Sequence, residues 1–365
     1  MREVYLGLMS GSSLDGVDAV LVDCSGKRPS LLAQLTYPLP EELRAALEHL
    51  SLSLAQVSLD HVATLDHQVA ELHALAANAL IEACGIDRRE INAIGMHGQT
   101  VAHRPSWPNP YSWQLGDGNT LAELTGLNVA CDFRRRDVAA GGSGAPLLPA
   151  LHAIVFRHPS EFRAVLNLGG IGNLTLVPPG PQAPIRGFDT GPANSLLDLH
   201  ANAVGWGLRD ENGANASLGA ISKSTLARLL QHPFFAERAP KSTHRDAFGY
   251  AWAALESLAP VDLAATLTEL TATSIALSLR KEMPECTRLL VCGGGVHNGF
   301  LMARLAHLLR GTAVNSTETL GVNPDYVEAI GFALLARQRV KLLPGNLPSV
   351  TGASGLRVLG ALYAA

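Results

Sequence analysis

The sequence predicts an α/β protein of two lobes, and three observations carry that expectation. At 365 residues the chain exceeds what one small core usually holds. Short apolar strands alternate with amphipathic helical stretches, and 47% hydrophobic residues with 35 Gly and 21 Pro describe a globular, loop-rich chain. A strand, a glycine-rich turn and a second strand occur together twice, around Gly11 and around Gly170, as weak internal duplication would produce.

In order, Val4 to Met9 reads as an apolar strand, Ser10 to Gly16 as a polar turn and Val17 to Val22 as a second strand. In a duplicated protein the two turns would face each other across a cleft and hold opposite sides of a polyphosphate. Here the hydroxyls of Ser10, Ser12 and Ser13 would add donors, and Asp15 or Asp18 would orient a hydrated Mg²⁺. Helices are expected near 40–50 and 58–84. His61, His67 and His73 on the second are spaced so that they do not share a face, which favours surface or partly buried histidines over a metal site.

The strand Ile91 to Met96 ends in His97-Gly98-Gln99, polar groups at the end of a buried strand, where α/β proteins place ligand contacts. His97 and His103 lack a third ligand at a sensible spacing, so sugar hydrogen bonding outranks metal binding. A short helix near Asn119 and a strand at 128–131 follow. Arg134 and Asp137, beside the glycine-rich connector 139–146, suit a carboxylate- or hydroxyl-bearing ligand; the alternative is a surface ion pair, worth little. The lobe crossing is placed near that connector, giving lobes of 1–136 and 137–345, with 346–365 returning to the first lobe as a strand.

From Val165 to Val177 two aliphatic runs flank Gly169-Gly170-Ile171-Gly172-Asn173, a tight hairpin whose backbone an anion such as phosphate can approach; a plain hairpin is the alternative. Gly187 to Asn194 then leads into an apolar-periodic stretch, so a helix is expected to begin near Pro192. That would set Asp189 just ahead of a helix N-terminus, where the macrodipole favours an ionised carboxylate. Taken alone, such an Asp is more often a cap.

Pro240 to Asp246 is a charged loop that could cap a helix or reach a ligand, and 262–279 reads as a packing helix. The strand Arg288 to Cys292 meets Gly293-Gly294-Gly295 and a helix near 300–309, a turn on which a nucleotide base or ribose could lie. It narrowly misses the dinucleotide fingerprint, which leaves a Rossmann dehydrogenase a weak rival, and no P-loop motif exists. Glu328 lies in the first turn of a last helix, where simply favouring the dipole is the plain reading.

Composition excludes several classes. A net charge of −4 without long basic runs disfavours nucleic acid as a partner. The five scattered cysteines indicate neither a disulfide framework nor zinc, and suit reduced, mostly buried thiols of a cytoplasmic protein. Met1-Arg2-Glu3 leads directly into a strand with no signal peptide, and 261–279 is too polar to span a membrane.

Three glycine-rich stretches in this order, with an Asp after the second, resemble the actin-like, sugar-kinase and heat-shock-chaperone ATPase superfamily, whose lobes are ribonuclease H-like with a nucleotide cleft between them. Within it, GLMSGSSLDGVDAVLVD, MHGQTVAHRP, WQLGDGNTLAELTG, DFRRRDVAAGGSGAPLLP, NLGGIGNLTLV, GFDTGPANSLLD, CGGGVHNGFLMARL and NPDYVEAIGFALLA are similar to the motifs of the anhydro-N-acetylmuramic acid kinase family, in order from Gly7 to Ala336. Ser12, Ser143 and His244 depart from the family's usual Thr, Gln and Gly.

The resemblance implies an ATP- and Mg²⁺-dependent cytoplasmic enzyme of bacterial cell-wall recycling. It would open the 1,6-anhydro bridge of anhydro-N-acetylmuramic acid with water and phosphorylate the freed 6-oxygen. Asp189 would be the general base and Glu328 a carboxylate on the same side of the sugar. Gly11, Ser12, Ser13, Asp15, Gly16 and Asp18, with Gly169, Gly170, Gly172 and Asn173, would hold ATP phosphates, Asp15 meeting the metal through water, and Gly293, Gly294 and Gly295 the nucleoside. His97, Gln99, Arg134 and Asp137 would contact the sugar. The partner implied is this small molecule, with neither nucleic acid nor membrane, and a homodimer is compatible with the reading. An ordinary sugar kinase, or a nucleotide-gated binding module, is the rival.

Overall fold

Apolar runs that fit a buried strand form the centres of two sheets. The computed structural model describes residues 2–11, 14–26, 28–52, 56–244, 247–254 and 257–365. Ser12 and Ser13, expected to hold phosphate, and Arg245 and Asp246 of the charged loop lie outside the described residues. Two compact units result, Met1–Val155 with Tyr326–Ala365, and Phe156–Asp325; elements are numbered along the whole chain.

The first unit carries β1 (Val4–Met9), β2 (Gly16–Asp23), β3 (Ser30–Pro38), β4 (Ile91–Met96), a β5 (Gln99–Arg104) and β6 (Tyr111–Leu115) hairpin, β7 (Val129–Cys131) and β13 (Ala361–Tyr363). Its main sheet is ordered β13-β7-β4-β1-β2-β3. β1 is buried at every residue, as a central strand covered on both faces must be, whereas β3 at the edge alternates exposed and half-buried positions. Helices α1 (Glu41–Leu52), α2 (Leu59–Cys84), α3 (Gly118–Thr125), α4 (Phe133–Ala139), α5 (Pro149–Phe156, reaching the boundary), α12 (Val327–Val340) and α13 (Pro348–Thr351) complete it. Ser58 caps α2 by accepting from the His61 N–H at 3.2 Å, and Gly85 ends it with a left-handed φ of 64°.

The second unit holds β8 (Arg163–Leu168), β9 (Ile171–Val177), β10 (Arg186–Pro192), β11 (Arg288–Cys292) and β12 (Ala313–Ser316), in the order β10-β9-β8-β11-β12. Its helices are α6 (Asn194–Ala203), α7 (Lys223–Leu229), α8 (Pro233–Ala236), α9 (Tyr250–Ala253), α10 (Pro260–Glu282) and α11 (Gly299–Leu308). In each unit's main sheet the first three strands run antiparallel, the fourth is added parallel beside the first, and the fifth parallel beside the fourth. This is the ribonuclease H-like order, present twice.

Two expectations change here. Pro192 does not open a helix; it is the last residue of β10, and α6 begins at Asn194. Residues 137–155 and 326–345, grouped by sequence with the second lobe, pack in the first unit. The reason is a close contact of α12 with β1 and β4. Gly7 and Gly95 are register partners, and a Cβ on either would lie 2.0 Å from the Ala329 carbonyl oxygen or 1.9 Å from that of Phe332. Only glycine admits the helix so near the sheet.

Four thiols (Cys24, Cys131, Cys286 and Cys292) are buried, and Cys84 is exposed. Burial pushes Cys24 and Cys131 up to about 12, which leaves them protonated and inert. Among the described residues no helix is long and apolar enough to cross a membrane.

Because the obstructing atoms at Gly95 are backbone, Gly95→Ala is expected to destabilise the protein by about 3 kcal/mol. Gly85→Ala, strained in φ but with nothing within 4 Å, is expected to cost only about 1 kcal/mol. Urea denaturation with unchanged slope measures both, and equal losses at the two positions would refute the packing argument.

Candidate active site

In the second unit, Asp189 lies in mid-β10 opposite Asn173 of β9. The Asn173 amide donates to its Oδ1 at 2.8 Å, and the Ser242 hydroxyl and Thr243 N–H donate to its Oδ2 at 3.1 and 2.9 Å. The Asp189 N–H donates to the Lys241 carbonyl, so residues 241–243 of the charged loop run alongside the strand and fix the carboxylate from the backbone outward. The helix-dipole expectation for Asp189 therefore gives way to these three donors. The half-buried carboxyl still sits above its ordinary range: burial pushes it up, and the bonds from Asn173, Thr243 and Ser242 only partly restrain that. A partly desolvated, oriented carboxylate of raised basicity can accept a proton from water or a hydroxyl.

The expected phosphate hairpin turns between β8 and β9. The N–H groups of Ala193 and Ser195 bind the Gly170 carbonyl, that of Asn194 binds the Gly169 carbonyl, and the Ser195 hydroxyl donates to Gly170 at 2.8 Å. The start of α6 thus draws in carbonyls that would repel an anion, leaving the turn's N–H side to receive one. Gly172 has no room for a side chain, since a Cβ would come 2.6 Å from Thr190 Oγ1.

Gly293, at φ 80°, and Gly295 close on the end of β8. A Cβ on Gly293 would lie 2.3 Å from Asn167 Oδ1, and one on Gly295 2.6 Å from Leu168 Cβ. Gly294 has nothing within 4 Å. The Asn194 amide donates to the Leu168 carbonyl at 2.8 Å. Leu168 therefore joins the Gly169–Gly172 turn, α6 and the Gly293–Gly295 turn at one end of the sheet.

In the first unit, polar groups gather at the ends of β1 and β4. His97 follows β4 and is buried; burial, with the Arg134 charge beside it, holds it well below its ordinary pKa. Its Nε2 accepts from Arg134 Nε and Nη2 at 3.2 and 2.9 Å, while Nδ1 faces the Ser10 carbonyl at 3.4 Å. These contacts assign a neutral ring protonated on Nδ1. Arg134 also donates to the Gly144 carbonyl at 2.9 Å. Burial lowers its pKa to about 10, opposed by the negative charge of Glu328 on the first turn of α12.

The buried Gln99 donates to the Gly11 carbonyl at 3.3 Å, and the Leu14 N–H binds the same oxygen at 3.3 Å, bracing the β1–β2 turn. His73, expected at or near the surface, is fully buried with Nε2 3.4 Å from Ser10 Oγ. Beyond the turn, Asp18 accepts from Thr36 at 2.6 Å, and the Tyr326 hydroxyl stands 3.0 Å from Thr36. Gly16 packs against the Tyr37 carbonyl, 2.6 Å from where its Cβ would stand.

A model of the family described as anhydro-N-acetylmuramic acid kinase matches residues 3–365. The chain belongs to the anhydro-N-acetylmuramic acid kinase family. It is 50% identical to the protein of that name from Xylella fastidiosa (strain Temecula1 / ATCC 700964), over 99% of this chain and 96% of the relative. Identity is 49% with that of Xanthomonas campestris pv. campestris (strain 8004), over 99% and 97%, and 46% with that of Shewanella baltica (strain OS223), over 99% and 98%.

For this member of the anhydro-N-acetylmuramic acid kinase family, three of the four expected sugar contacts are committed elsewhere. Asp137 has no exposed surface and accepts from Asn346, Thr351 and the Gly144 N–H at 2.8, 2.9 and 2.9 Å, tying α4 to the C-terminal segment. His97 and Gln99 are buried and position Arg134 and the β1–β2 turn. Arg134 is half-buried and its guanidinium has five N–H donors, more than these partners take up, so it keeps the capacity to meet a ligand. Asn173, expected to touch phosphate, holds Asp189. Ser242 and Thr243 came from a loop whose role was open, and cross-strand register alone would have paired Asn173 with Asp189.

Asp137→Ala, which strands three buried donors, is expected to cost about 3 kcal/mol or more in urea denaturation. Folded variant at low temperature should keep a near-normal sugar KM; weakened sugar affinity at unchanged stability would restore the contact role. A second expectation concerns pH. A base works only when ionised, so the acid limb of turnover should lie above the ordinary carboxylate range. Ser242→Ala removes a bond that favours the ionised form and should move that limb to higher pH. An unmoved limb in the kcat/KM profile would exclude Asp189 as the titrating group.

Proposed function

We propose that this chain is an ATP-dependent kinase that opens the 1,6-anhydro bridge of anhydro-N-acetylmuramic acid and phosphorylates its 6-oxygen, giving N-acetylmuramate 6-phosphate for cell-wall recycling. Membership of the family supplies the substrate class. The observation that carries the chemistry is the setting of Asp189: oriented by three donors, half-buried and raised in basicity.

Water is a poor nucleophile toward an acetal carbon. Asp189 takes its proton as the new C1–O bond forms, a contribution of about 10²–10⁴-fold for a general base. The C1–O6 bond breaks, and its electron pair goes to O6. O6 in turn receives the γ-phosphoryl group, and ADP departs. The phosphoryl group thus does what a general acid does in an ordinary glycosidase. Glu328, whose charge is felt at Arg134, is assigned to the sugar together with Arg134. The turns at Gly11–Asp18 and Gly169–Gly172 are assigned to the phosphates, and Gly293–Gly295 to the nucleoside.

The donor chemistry fits Mg²⁺. Asp15 is exposed and Asp18 half-buried at the β1–β2 turn, both hard oxygen ligands, and among the described residues no group of three or more His, Cys, Asp or Glu side chains converges as a metal cage. A small hard cation suits such a place, held by one or two carboxylates, waters and phosphate oxygens. When bound, it would withdraw charge from the phosphoryl oxygens.

Asp189→Asn is expected to lower turnover about 10²–10⁴-fold while ADP release assays and titration show ATP affinity largely intact. Near-normal turnover in that variant would discredit the base. Incubation of the native enzyme in ¹⁸O-water should place label on the anomeric oxygen during turnover, with exchange of free product controlled. Phosphorylation without label would mark an ordinary sugar kinase, in which Asp189 deprotonates a substrate hydroxyl.

A further inference from the structure

Helix α4 presents more than Arg134. Arg135 and Arg136, the next two residues, turn away around the helix and, with Asp132 and with Arg339 near the end of α12, line a separate pocket of about 480 Å³ in the first unit. The lining thus carries three arginines and one aspartate. Arg135 Nε donates to the Ser112 carbonyl at 3.3 Å and lies 3.5 Å from Asp132, so that group is already engaged. Among the described residues no ion pair or side-chain hydrogen bond engages Arg136, and Arg339 Nε is buried without a partner. A buried donor with no acceptor is unfavourable unless an acceptor arrives from outside, and the exposed Arg136 stands beside it with no counter-ion of its own.

We propose that this pocket binds a small phosphate-bearing anion, at a site distinct from the reaction centre. Phosphate is favoured over carboxylate because its oxygens can meet several planar donor forks at once, whereas one carboxylate matches only one. Asp132 takes part of the charge of Arg135 and leaves Arg136 and Arg339 as the main anchors. The pocket volume falls in the range that takes a compact organic ligand, so a sugar phosphate fits the space as well as free phosphate does.

The test is isothermal titration of the full chain with inorganic phosphate and, separately, glucose 6-phosphate. Ionic strength is held constant and ADP is kept in excess to fill the catalytic phosphate turns. Saturable binding of either anion is expected, at least tenfold weaker in Arg136→Ala/Arg339→Gln, whose turnover should match the native enzyme. Tighter binding of the monoester would identify a sugar phosphate as the source, and tighter binding of phosphate the free ion. Equal affinity in the double variant, or heats reproduced by chloride at the same ionic strength, would overturn the proposal. Should the double variant fail to fold, Arg136→Ala, at an exposed position, must itself weaken binding several-fold; unchanged affinity there overturns the proposal equally.

Discussion

The first unit depends on a contact between backbones. Carbonyl oxygens of α12 sit where side chains of Gly7 and Gly95 would otherwise stand. Several polar groups of that unit are placed from this seat. β1 delivers Ser10 at its end, β4 delivers His97, and the first turn of α12 delivers Glu328. The next turn of α12 contributes Phe332, whose ring centroid is 4.7 Å from that of His97. His97 then holds Arg134. A helix only slightly farther from the sheet would shift each of these groups together, because packed interiors move in steps and do not stretch.

Two aspartates show how environment divides labour between identical side chains. Asp137 and Asp189 each accept three hydrogen bonds from the protein. Asp137 is sealed from solvent, and its oxygens serve to join α4 to the C-terminal segment. Asp189 is only half-buried; its donors hold the carboxylate in one orientation while it remains reachable. Number of hydrogen bonds therefore does not separate a structural carboxylate from the one proposed to react. Exposure does: Asp189 is reachable and Asp137 is not.

Much of the architecture was legible in the sequence because apolar runs have definite lengths. Val4–Met9, Ile91–Met96 and Arg288–Cys292 are strands with the bounds read from composition alone. Signals that rest on a single residue fared worse. Pro192 is suited to a first helical turn, yet it ends a strand whose register shifts between Asp189 and Gly191. Membership of a unit was not legible either. α12 follows the second unit's strands in sequence but packs on the first unit's sheet, and the only trace of that is a glycine in each of two buried strands. Asp137 drew attention as a charged residue beside a glycine loop, and nothing local reveals that Asn346 and Thr351, some two hundred residues on, reach its oxygens.

The duplicated strand order also explains why the two glycine-rich turns are not alike. In both units the turn joins the first strand to an antiparallel second, so in both its backbone needs a brace from elsewhere. After β1 side chains join the turn's own Leu14 N–H in the brace: Gln99 holds the Gly11 carbonyl, and Ser10 donates to Gly98 at 3.2 Å. That turn retains carboxylates, Asp15 and Asp18, beside its backbone. After β8 the brace is the N-terminus of α6, whose N–H groups take the Gly169 and Gly170 carbonyls. A turn whose carbonyls are taken by a neighbouring helix's first N–H groups and the Ser195 hydroxyl needs no polar side chains of its own and can be mostly glycine. The repeated scaffold thus supplies one acidic turn and one nearly bare turn, and the difference follows from which neighbour satisfies the carbonyls.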